Sequence, residues 1–467
     1  MPAASPRPAF RQPAWPAGAA LAVPLAAFLG LTLRYIVNIP TLDDYDCGLE
    51  FLLTLIHQPN ARSKLLLLLS TQHNEYKSIF ESAVFWLQYA AFGKLNFRLS
   101  MIIGDLFPLI VGIVLWKLFT PRIPSFGLKL ALFVPAALLF FQLNYAEALN
   151  APMTALQHMP AVAFAFIAIL LLHDDRSGAF AGAIAAFLIG VSASTNVFLV
   201  VPIGIAILIS RKRYARSAIW IGVFLLALLI YRFHYHSPPS HVAYKHSSFL
   251  VALLVLKPLY TLAVLGAAAW QFRFPGACVL GAALVLFNLY LIRSGYFRRR
   301  PAIGYCELFL LLTAMGIAQV RLDFGLTLSI SSRYRIYSDL LLVFAWFSIA
   351  DQFVLDADGT LRVPLRRNWI FITAMSFAVL NAAVCDYTGN KFFRTRYRYW
   401  TEGVAAYEHP QFPGSTEGPL LPVTGQDQDR QQAAIYCRKI FAQAVAAGIY
   451  APPQYPAPAY PIVPQRP

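Results

Sequence analysis

Long apolar runs separated by short polar or basic segments recur along most of this chain. A helix needs about 20 apolar residues to cross a hydrocarbon core of about 30 Å. Runs that approach or meet this length lie at 17–38, 99–117, 130–143, 159–173, 179–194, 196–210, 217–233, 276–293, 303–320, 335–354 and 369–386. The pattern predicts an all-α, polytopic integral membrane protein.

Two further apolar runs, 78–93 and 247–270, are ambiguous. If both crossed the membrane, the basic segments RKRYAR at 211–216 and RRR at 298–300 could not both face the cytoplasm. We therefore interpret the two runs as interfacial or re-entrant helices, which are common at membrane surfaces. This interpretation gives about 11 transmembrane helices, and the alternative in which both runs span gives about 13.

Composition and charge support the membrane interpretation. Hydrophobic residues make up 58% of the chain and charged residues only 13%, which excludes an ordinary soluble fold. The net charge of +16 could suggest nucleic acid, but the basic residues cluster between apolar runs, as at 211–216, 298–300 and 362–367. That distribution is typical of cytoplasmic loops. We therefore expect a multi-pass protein with its N-terminus inside and its C-terminus outside, and no nucleic-acid partner.

Four segments follow from this layout. Residues 1–16 are a Pro-rich cytoplasmic N-terminus, and 17–386 form the transmembrane domain. The first apolar run exceeds a signal-peptide core and lacks a clear cleavage site, so we expect a retained helix. Residues 387–450 form a segment on the outer face, and 451–467 are a disordered Pro-rich tail.

The first predicted outer loop begins with an acidic stretch, TLDDYDCGLE, at 41–50. A partly desolvated carboxylate at a membrane boundary has raised basicity, which suits a general base. Asp43 and Asp44 are therefore candidate catalytic residues. The alternative is a solvated loop charge or a helix cap, a common role of Asp.

The same loop contains a second polar stretch, TQHNEYK, at 71–77. In the functional interpretation Glu75 is a second carboxylate or metal ligand, and His73 contacts the ligand. Asn74 and Lys77 complete this polar group. The alternative is a surface turn between two amphipathic helices.

Cations follow in the late segment RLDFGLTLSISSRYRIYS at 321–338. The planar guanidinium of Arg binds two phosphate oxygens at once, so Arg321 and Arg333 are candidate phosphate ligands. Arg333 precedes a predicted span, where a lipid phosphate would lie. The alternative is an interfacial Arg that snorkels beside Tyr334 in an aromatic belt.

The order of three motifs, DDYD at 43–46, QHNEYK at 72–77 and SSRYR at 331–335, resembles that of a group of bacterial polytopic membrane proteins of the GT-C glycosyltransferase type. The resemblance implies a GT-C-like fold with interfacial helices in the first outer loop, in the bacterial cytoplasmic (inner) membrane. It implies that Asp43 is the base and that Asp44 orients it or the acceptor. The donor phosphate and sugar would contact His73, Asn74, Glu75, Lys77, Arg321, Arg333 and Tyr334.

The family's expected reaction moves a sugar from a polyprenyl-phosphate donor to a cell-envelope glycan, lipid or protein. No Gly-rich nucleotide fingerprint is present. This chain departs from the group at Tyr76-Lys77, where the group has a His-Arg pair, and in having Glu147 as the only carboxylate of its 144–158 loop. The metal question therefore stays open: no cofactor is required, but Asp43, Asp44 and Glu75 could hold a divalent cation.

Two alternatives to a transferase remain. A transporter or flippase of lipid-linked sugars would share the hydropathy pattern, and either kind of protein would contact membrane lipids. A transporter, however, should place its polar residues within spans. A GT-C-like protein without activity is the second.

Asp105 and Glu307 are carboxylates inside or at the edge of spans, where charge is costly and often functional. We interpret His158 as a loop histidine rather than a ligand.

Overall fold

The computed structural model describes residues 14–41, 43–73, 75–176, 178–236, 249–408 and 428–455. Within these ranges the chain is helical, and its only β-type pairings are isolated bridges. The α-helices are α1 Ala14–Tyr35, α2 Phe51–Ile56, α3 Ala61–Ser70, α4 Ile79–Phe92, α5 Phe97–Asp105, α6 Phe107–Phe119, α7 Phe126–Phe140, α8 Pro152–Leu172, α9 Ala179–Ala193, α10 Val200–Ser210, α11 Tyr214–Arg232, α12 Phe249–Val251, α13 Lys257–Leu265, α14 Arg273–Arg293, α15 Tyr296–Arg299, α16 Pro301–Arg321, α17 Arg335–Ile349, α18 Trp369–Glu408 and α19 Gln428–Ala446. Short 3₁₀ and π-helical turns join many of them.

Eight helical segments of the described ranges are long and apolar enough to cross a membrane. They are Trp15–Tyr35, Phe97–Arg122, Pro152–Leu172, Tyr214–Arg232, Ala267–Arg293, Pro301–Phe324, Ser332–Val354 and Trp369–Ala405. The prediction of an all-helical, polytopic membrane protein is confirmed at this level.

The predicted count of 11 to 13 spans is not reached by length alone. Three predicted spans, 130–143, 179–194 and 196–210, coincide with the shorter apolar helices Phe126–Phe140, Ala179–Ala193 and Thr195–Ser210. Each is a helix, but it is shorter than the 18 residues of a full crossing segment. Each apolar run thus predicted its helix, and the length of that helix to within one residue.

The bundle is centred on α8, which packs against α5, α6, α9, α10 and α16. At Gly104 of α5 an added Cβ would lie 2.6 Å from the Cβ of Ala155 on α8, so only glycine permits this approach. Rings stack tightly elsewhere, as between Phe119 and Phe347, whose centroids are 4.3 Å apart. Just before α8, the Asn150 side chain donates to the Tyr35 carbonyl at 3.4 Å, so the N-terminus of α8 lies close to the loop that follows α1.

A second hydrophobic core joins the 37–97 segment to the C-terminal part of the chain. The Leu95 amide donates to the Ile449 carbonyl at 2.8 Å, and the Tyr450 hydroxyl donates to the Asn38 carbonyl at 2.6 Å. Helix α18 passes the expected boundary at residue 386 without a break. The tail predicted at 451–467 is described only as far as Tyr455.

The two ends of the bundle differ in charge. The span Phe97–Arg122 begins in the second core, so Arg122 lies at the opposite end. There Arg122 donates to the Arg299 carbonyl at 3.1 Å, and Arg300 forms an ion pair with Asp351 at 2.9 Å. We call this the arginine end, and the end that holds residues 43–77 the loop end.

Candidate functional site

The two neighbouring aspartates of the acidic stretch have different surroundings. Asp44 is fully buried. Its Oδ2 accepts hydrogen bonds from the Thr41 amide at 2.7 Å and the Thr41 hydroxyl at 2.9 Å. Its Oδ1 accepts one from the amide of Met153, in the first turn of α8, at 3.0 Å. Asp44 therefore ties the loop to the N-terminus of α8, where an acidic side chain is favourable.

Burial raises the pKa of Asp44 to about 7, although the hydrogen bonds from Thr41 oppose the shift. Because this carboxyl is buried and both oxygens are engaged, it has no face for a substrate. The pair predicted at this position therefore offers one accessible carboxylate, that of Asp43.

Asp43 lies at the surface of the loop end, with 43% of its side chain exposed. Its Oδ1 lies 3.2 Å from Nε2 of His73, and Oδ2 of Asp46 lies 3.2 Å from the Nδ1 of the same ring. A neutral imidazole has only one N–H, so a ring held between two carboxylates favours the protonated form. The structure thus brings together the two candidate residues Asp43 and His73 and adds Asp46.

The electrostatics of this group are strongly coupled. Burial lowers the pKa of His73, but the hydrogen bonds with Asp43 and Asp46 outweigh it and raise the pKa to about 12. For Asp43 burial has the opposite effect and raises the pKa. His73 and the charges of Arg333 and Arg321 outweigh this effect, and the pKa of Asp43 falls below its usual value. Asp43 is therefore ionised at neutral pH, and the raised basicity expected of it from the sequence is not found, because the neighbouring positive charges outweigh burial.

A tight turn presents His73. The His73 amide donates to the Tyr76 carbonyl at 2.9 Å, and the Tyr76 amide returns a hydrogen bond at 3.1 Å. Asn74, a predicted site residue, lies outside the described residues. Glu75 forms an ion pair with Arg321 at the end of α16, so these two predicted residues neutralise each other.

Lys77 has a different role from the one predicted. Its side chain is almost completely buried. The ammonium donates to three backbone carbonyls, those of Leu69, Ser70 and Phe233, at 3.4, 3.2 and 2.7 Å. Burial lowers its pKa. Lys77 therefore fastens the loop to the end of α11, and its donors are already engaged.

Arg333 and Tyr334 lie in the 3₁₀ turn Ser332–Tyr334. Two serines anchor the turn: Ser331 donates to Oε2 of Glu147 at 3.0 Å and Ser332 to the Asn144 carbonyl at 2.9 Å. The Arg333 guanidinium packs over the Tyr334 ring, 5.4 Å from its centroid.

The charge of Arg333 is not neutralised by an ion pair with any described residue. Its Nε is buried and has no hydrogen-bond partner among the described residues, where it also forms no ion pair. A buried guanidinium donor without a partner is costly in protein. The charge of Arg333 also lowers the pKa of Asp43, so its field reaches this carboxylate.

The sequence interpretation missed a third polar group. His158 belongs to α8 and not to a loop, so that expectation was wrong. Its Nδ1 lies 3.5 Å from the Tyr337 hydroxyl, and its ring meets the Tyr334 ring edge-on at 6.0 Å. Asn196 donates to the same Tyr337 hydroxyl at 3.3 Å. A histidine in the first turns of an apolar helix was the available signal, since polar residues there face the bundle interior.

The residues predicted as metal ligands do not converge. Asp44 accepts hydrogen bonds from Thr41 and Met153, and Glu75 pairs with Arg321. Within the described part of the chain no three His, Cys, Asp or Glu side chains form a group suited to a metal ion. Asp44 and Glu75 thus already have partners within the protein, and the chemistry below uses no metal ion.

The His73 arrangement predicts a pH dependence of stability. Its pKa rises from 6.5 to about 12 on folding. The stabilisation is therefore complete below pH 6.5 and declines as the pH rises from there toward 12. In thermal unfolding of the full chain in detergent, the difference between wild type and His73→Gln should shrink steadily from pH 6 to pH 10. His57→Gln, whose ring meets the Leu53 carbonyl, controls for imidazole loss. A pH-independent difference would contradict the ion-pair assignment.

Comparison with family models, with curated proteins and with solved structures gave no match to this chain. The residues and geometry of the loop end are therefore the basis for any functional conclusion.

Proposed function

We propose that this protein is a membrane glycosyltransferase that moves a sugar from a polyprenyl-phosphate donor to a cell-envelope glycan, lipid or protein. The observation that carries the proposal is the pairing of an accessible, ionised carboxylate with an uncommitted guanidinium. Asp43 is 43% exposed, and the buried Nε of Arg333 has no hydrogen-bond partner among the described residues. A displacement at an anomeric carbon needs these two groups on opposite sides of the reacting atom.

The residues divide the reaction between them. The acceptor hydroxyl donates a hydrogen bond to Asp43 and attacks the anomeric carbon, and Asp43 takes its proton as the new C–O bond forms. The bond from that carbon to the phosphate oxygen breaks at the same time. The departing polyprenyl phosphate gains negative charge, which the guanidinium of Arg333 stabilises. His73 holds Asp43 ionised and in place.

The arrangement of the spans supports an outer-face site. Basic residues between spans favour the cytoplasmic side, which supports an orientation with the arginine end inside and the loop end outside. The N-terminus would then be inside and the C-terminus outside, in the bacterial inner membrane. Helices α2–α4 lie between the first and second long spans, as a GT-C-like fold requires of its interfacial helices.

A transporter or flippase of lipid-linked sugars is the second candidate. Both carboxyl oxygens of Glu81 and of Asp105 are buried and lack hydrogen-bond partners among the described residues. Such groups inside a bundle are typical of proton or substrate pathways. Both carboxyls are buried, whereas Asp43 is accessible to a ligand, so we rank this function second.

The test compares envelope glycans by mass spectrometry in a null strain and in strains complemented with wild type, Arg333→Gln or Arg62→Gln. One sugar should vanish in the null strain and return with wild type. Removing one charge-stabilising donor costs about a hundredfold in rate, so Arg333→Gln should leave the sugar absent or strongly reduced. Arg62, which is exposed on α3 at the loop end, is the matched control.

Purified protein in detergent then separates the two candidates, because no membrane barrier remains. Transfer of sugar from a polyprenyl-phosphate donor to an extract of null-strain envelope supports the transferase. If glycans require the protein in cells but no donor sugar is consumed in detergent, the protein is a transporter. Full glycan restoration by Arg333→Gln would refute the proposed phosphate role.

A further inference from the structure

A cavity of about 480 Å³ lies between α14 and α16, far from Asp43. Its walls run from Phe297 and Arg298 at the arginine end to Leu311 and Leu341 in the middle of the bundle. Ile292 of the same wall is 61% exposed. In a bilayer this side faces hydrocarbon, so the cavity opens sideways into lipid.

One buried polar group in the wall has an unused hydrogen-bonding atom. Glu307 is 5% exposed, and its Oε1 has no partner among the described residues. It lies on α16 about 9 Å along the helix from Pro301. The neighbouring Asn288 amide already donates to the Leu284 carbonyl at 3.1 Å. The Asn288 side chain also hydrogen-bonds with Glu307, which leaves Oε1 as the unused atom. A carboxyl buried among mainly apolar side chains is neutral, so Glu307 offers an O–H donor to the cavity.

The cation at the mouth of the cavity is also uncommitted. Arg298 is exposed and forms no ion pair with any described residue. Its neighbour Arg300 differs, because Asp351 neutralises it at 2.9 Å. Arg298 is therefore available to an anion at the membrane surface.

We propose that this cavity binds a diacyl phospholipid with an anionic headgroup. Arg298 holds the phosphate, Glu307 donates its proton in a hydrogen bond to an ester carbonyl, and one acyl chain lies along Leu308, Leu311 and Leu341. Phosphate, ester and chain follow one another along the lipid in the same order as cation, carboxyl and apolar wall along the cavity. The match of three chemical groups in sequence distinguishes this site from a general lipid-facing surface.

The bound lipid would act on α16. That helix begins beside the lipid phosphate and ends at Arg321, which pairs with Glu75 at the loop end. A lipid that fixes the first half of α16 therefore helps to fix Arg321 across the membrane. This binding does not depend on sugar transfer, so either assignment can fail alone.

Native mass spectrometry of the full chain in mild detergent tests the site, with phosphatidylglycerol, phosphatidylcholine and a polyprenyl phosphate as probes. Wild type should bind phosphatidylglycerol about fivefold more tightly than zwitterionic phosphatidylcholine, the effect of about one Arg near the surface. Arg298→Gln should remove this preference. Arg293→Gln, at the same end but outside the cavity wall, should keep it.

Glu307 variants test the ester contact. Glu307→Leu should weaken phosphatidylglycerol about fivefold, the value of about one hydrogen bond, and Glu307→Gln should stay close to wild type because its amide still donates. Polyprenyl phosphate has no ester carbonyl, so its binding should not change with Glu307→Leu. Equal losses of both lipids, or no loss of either, would overturn the proposal. If Arg298→Gln and Arg293→Gln had equal effects, the preference for phosphatidylglycerol would come from nonspecific surface charge. That result would overturn the proposal as well.

Discussion

Asp43→Asn should lower sugar transfer by about 10²–10⁴-fold, the usual contribution of a general base, while the protein stays folded. The asparagine keeps the size of the side chain but cannot accept the acceptor's proton. Folding should be little affected, because Asp43 is 43% exposed and its ion pair with His73 is partly screened by water. Transfer by purified variant and wild type, at matched folded protein, measures the ratio.

Asp46→Asn is a closely matched control. Asp46 pairs with the other nitrogen of His73 at the same 3.2 Å and is 42% exposed. If Asp43 is the base, Asp46→Asn should lose far less activity. Equal losses would show that the carboxylates act through the charge and orientation of His73, and full activity of Asp43→Asn would refute the base assignment.

Asp44→Ala should give the opposite result, a large loss of stability with little change in activity per folded molecule. It leaves the buried amides of Thr41 and Met153 without an acceptor. Each orphaned buried donor costs about 1–3 kcal/mol, so we expect a loss of about 3 kcal/mol in the free energy of unfolding. Thermal unfolding in detergent, with protease resistance of the loop as a second probe, measures it.

Asp44→Asn separates charge from hydrogen bonding at this position. The asparagine keeps one side-chain oxygen as an acceptor, but its NH₂ group must face a backbone N–H donor. The stability of Asp44→Asn should therefore lie between those of wild type and Asp44→Ala. Asp46→Ala, in the same turn but 42% exposed, should lose little stability. A stable Asp44→Ala would contradict the capping role at α8.

The sequence was sufficient to predict the membrane class and most helices, because burial in lipid requires long apolar runs. The runs 130–143, 179–194 and 196–210 are helices as well, but short ones, so their crossing of the membrane does not follow from length alone. Within the site, alternation of residues could not separate Asp43 from Asp44, since their difference depends on Met153, more than 100 positions away. Lys77 likewise became structural through the distant Phe233 carbonyl.

The pairing of Leu95 with Ile449 also sets the order in which the protein can mature. All eight long spans are synthesised before Ile449 leaves the ribosome, so the loop core stays unfinished until translation ends. Until then the faces of Phe97 and Phe441 lack their partner Tyr450 and resemble exposed apolar surface. Quality-control proteases act on such surface. A chain cut short at its C-terminus is thus expected to be degraded rather than to persist with a damaged loop end.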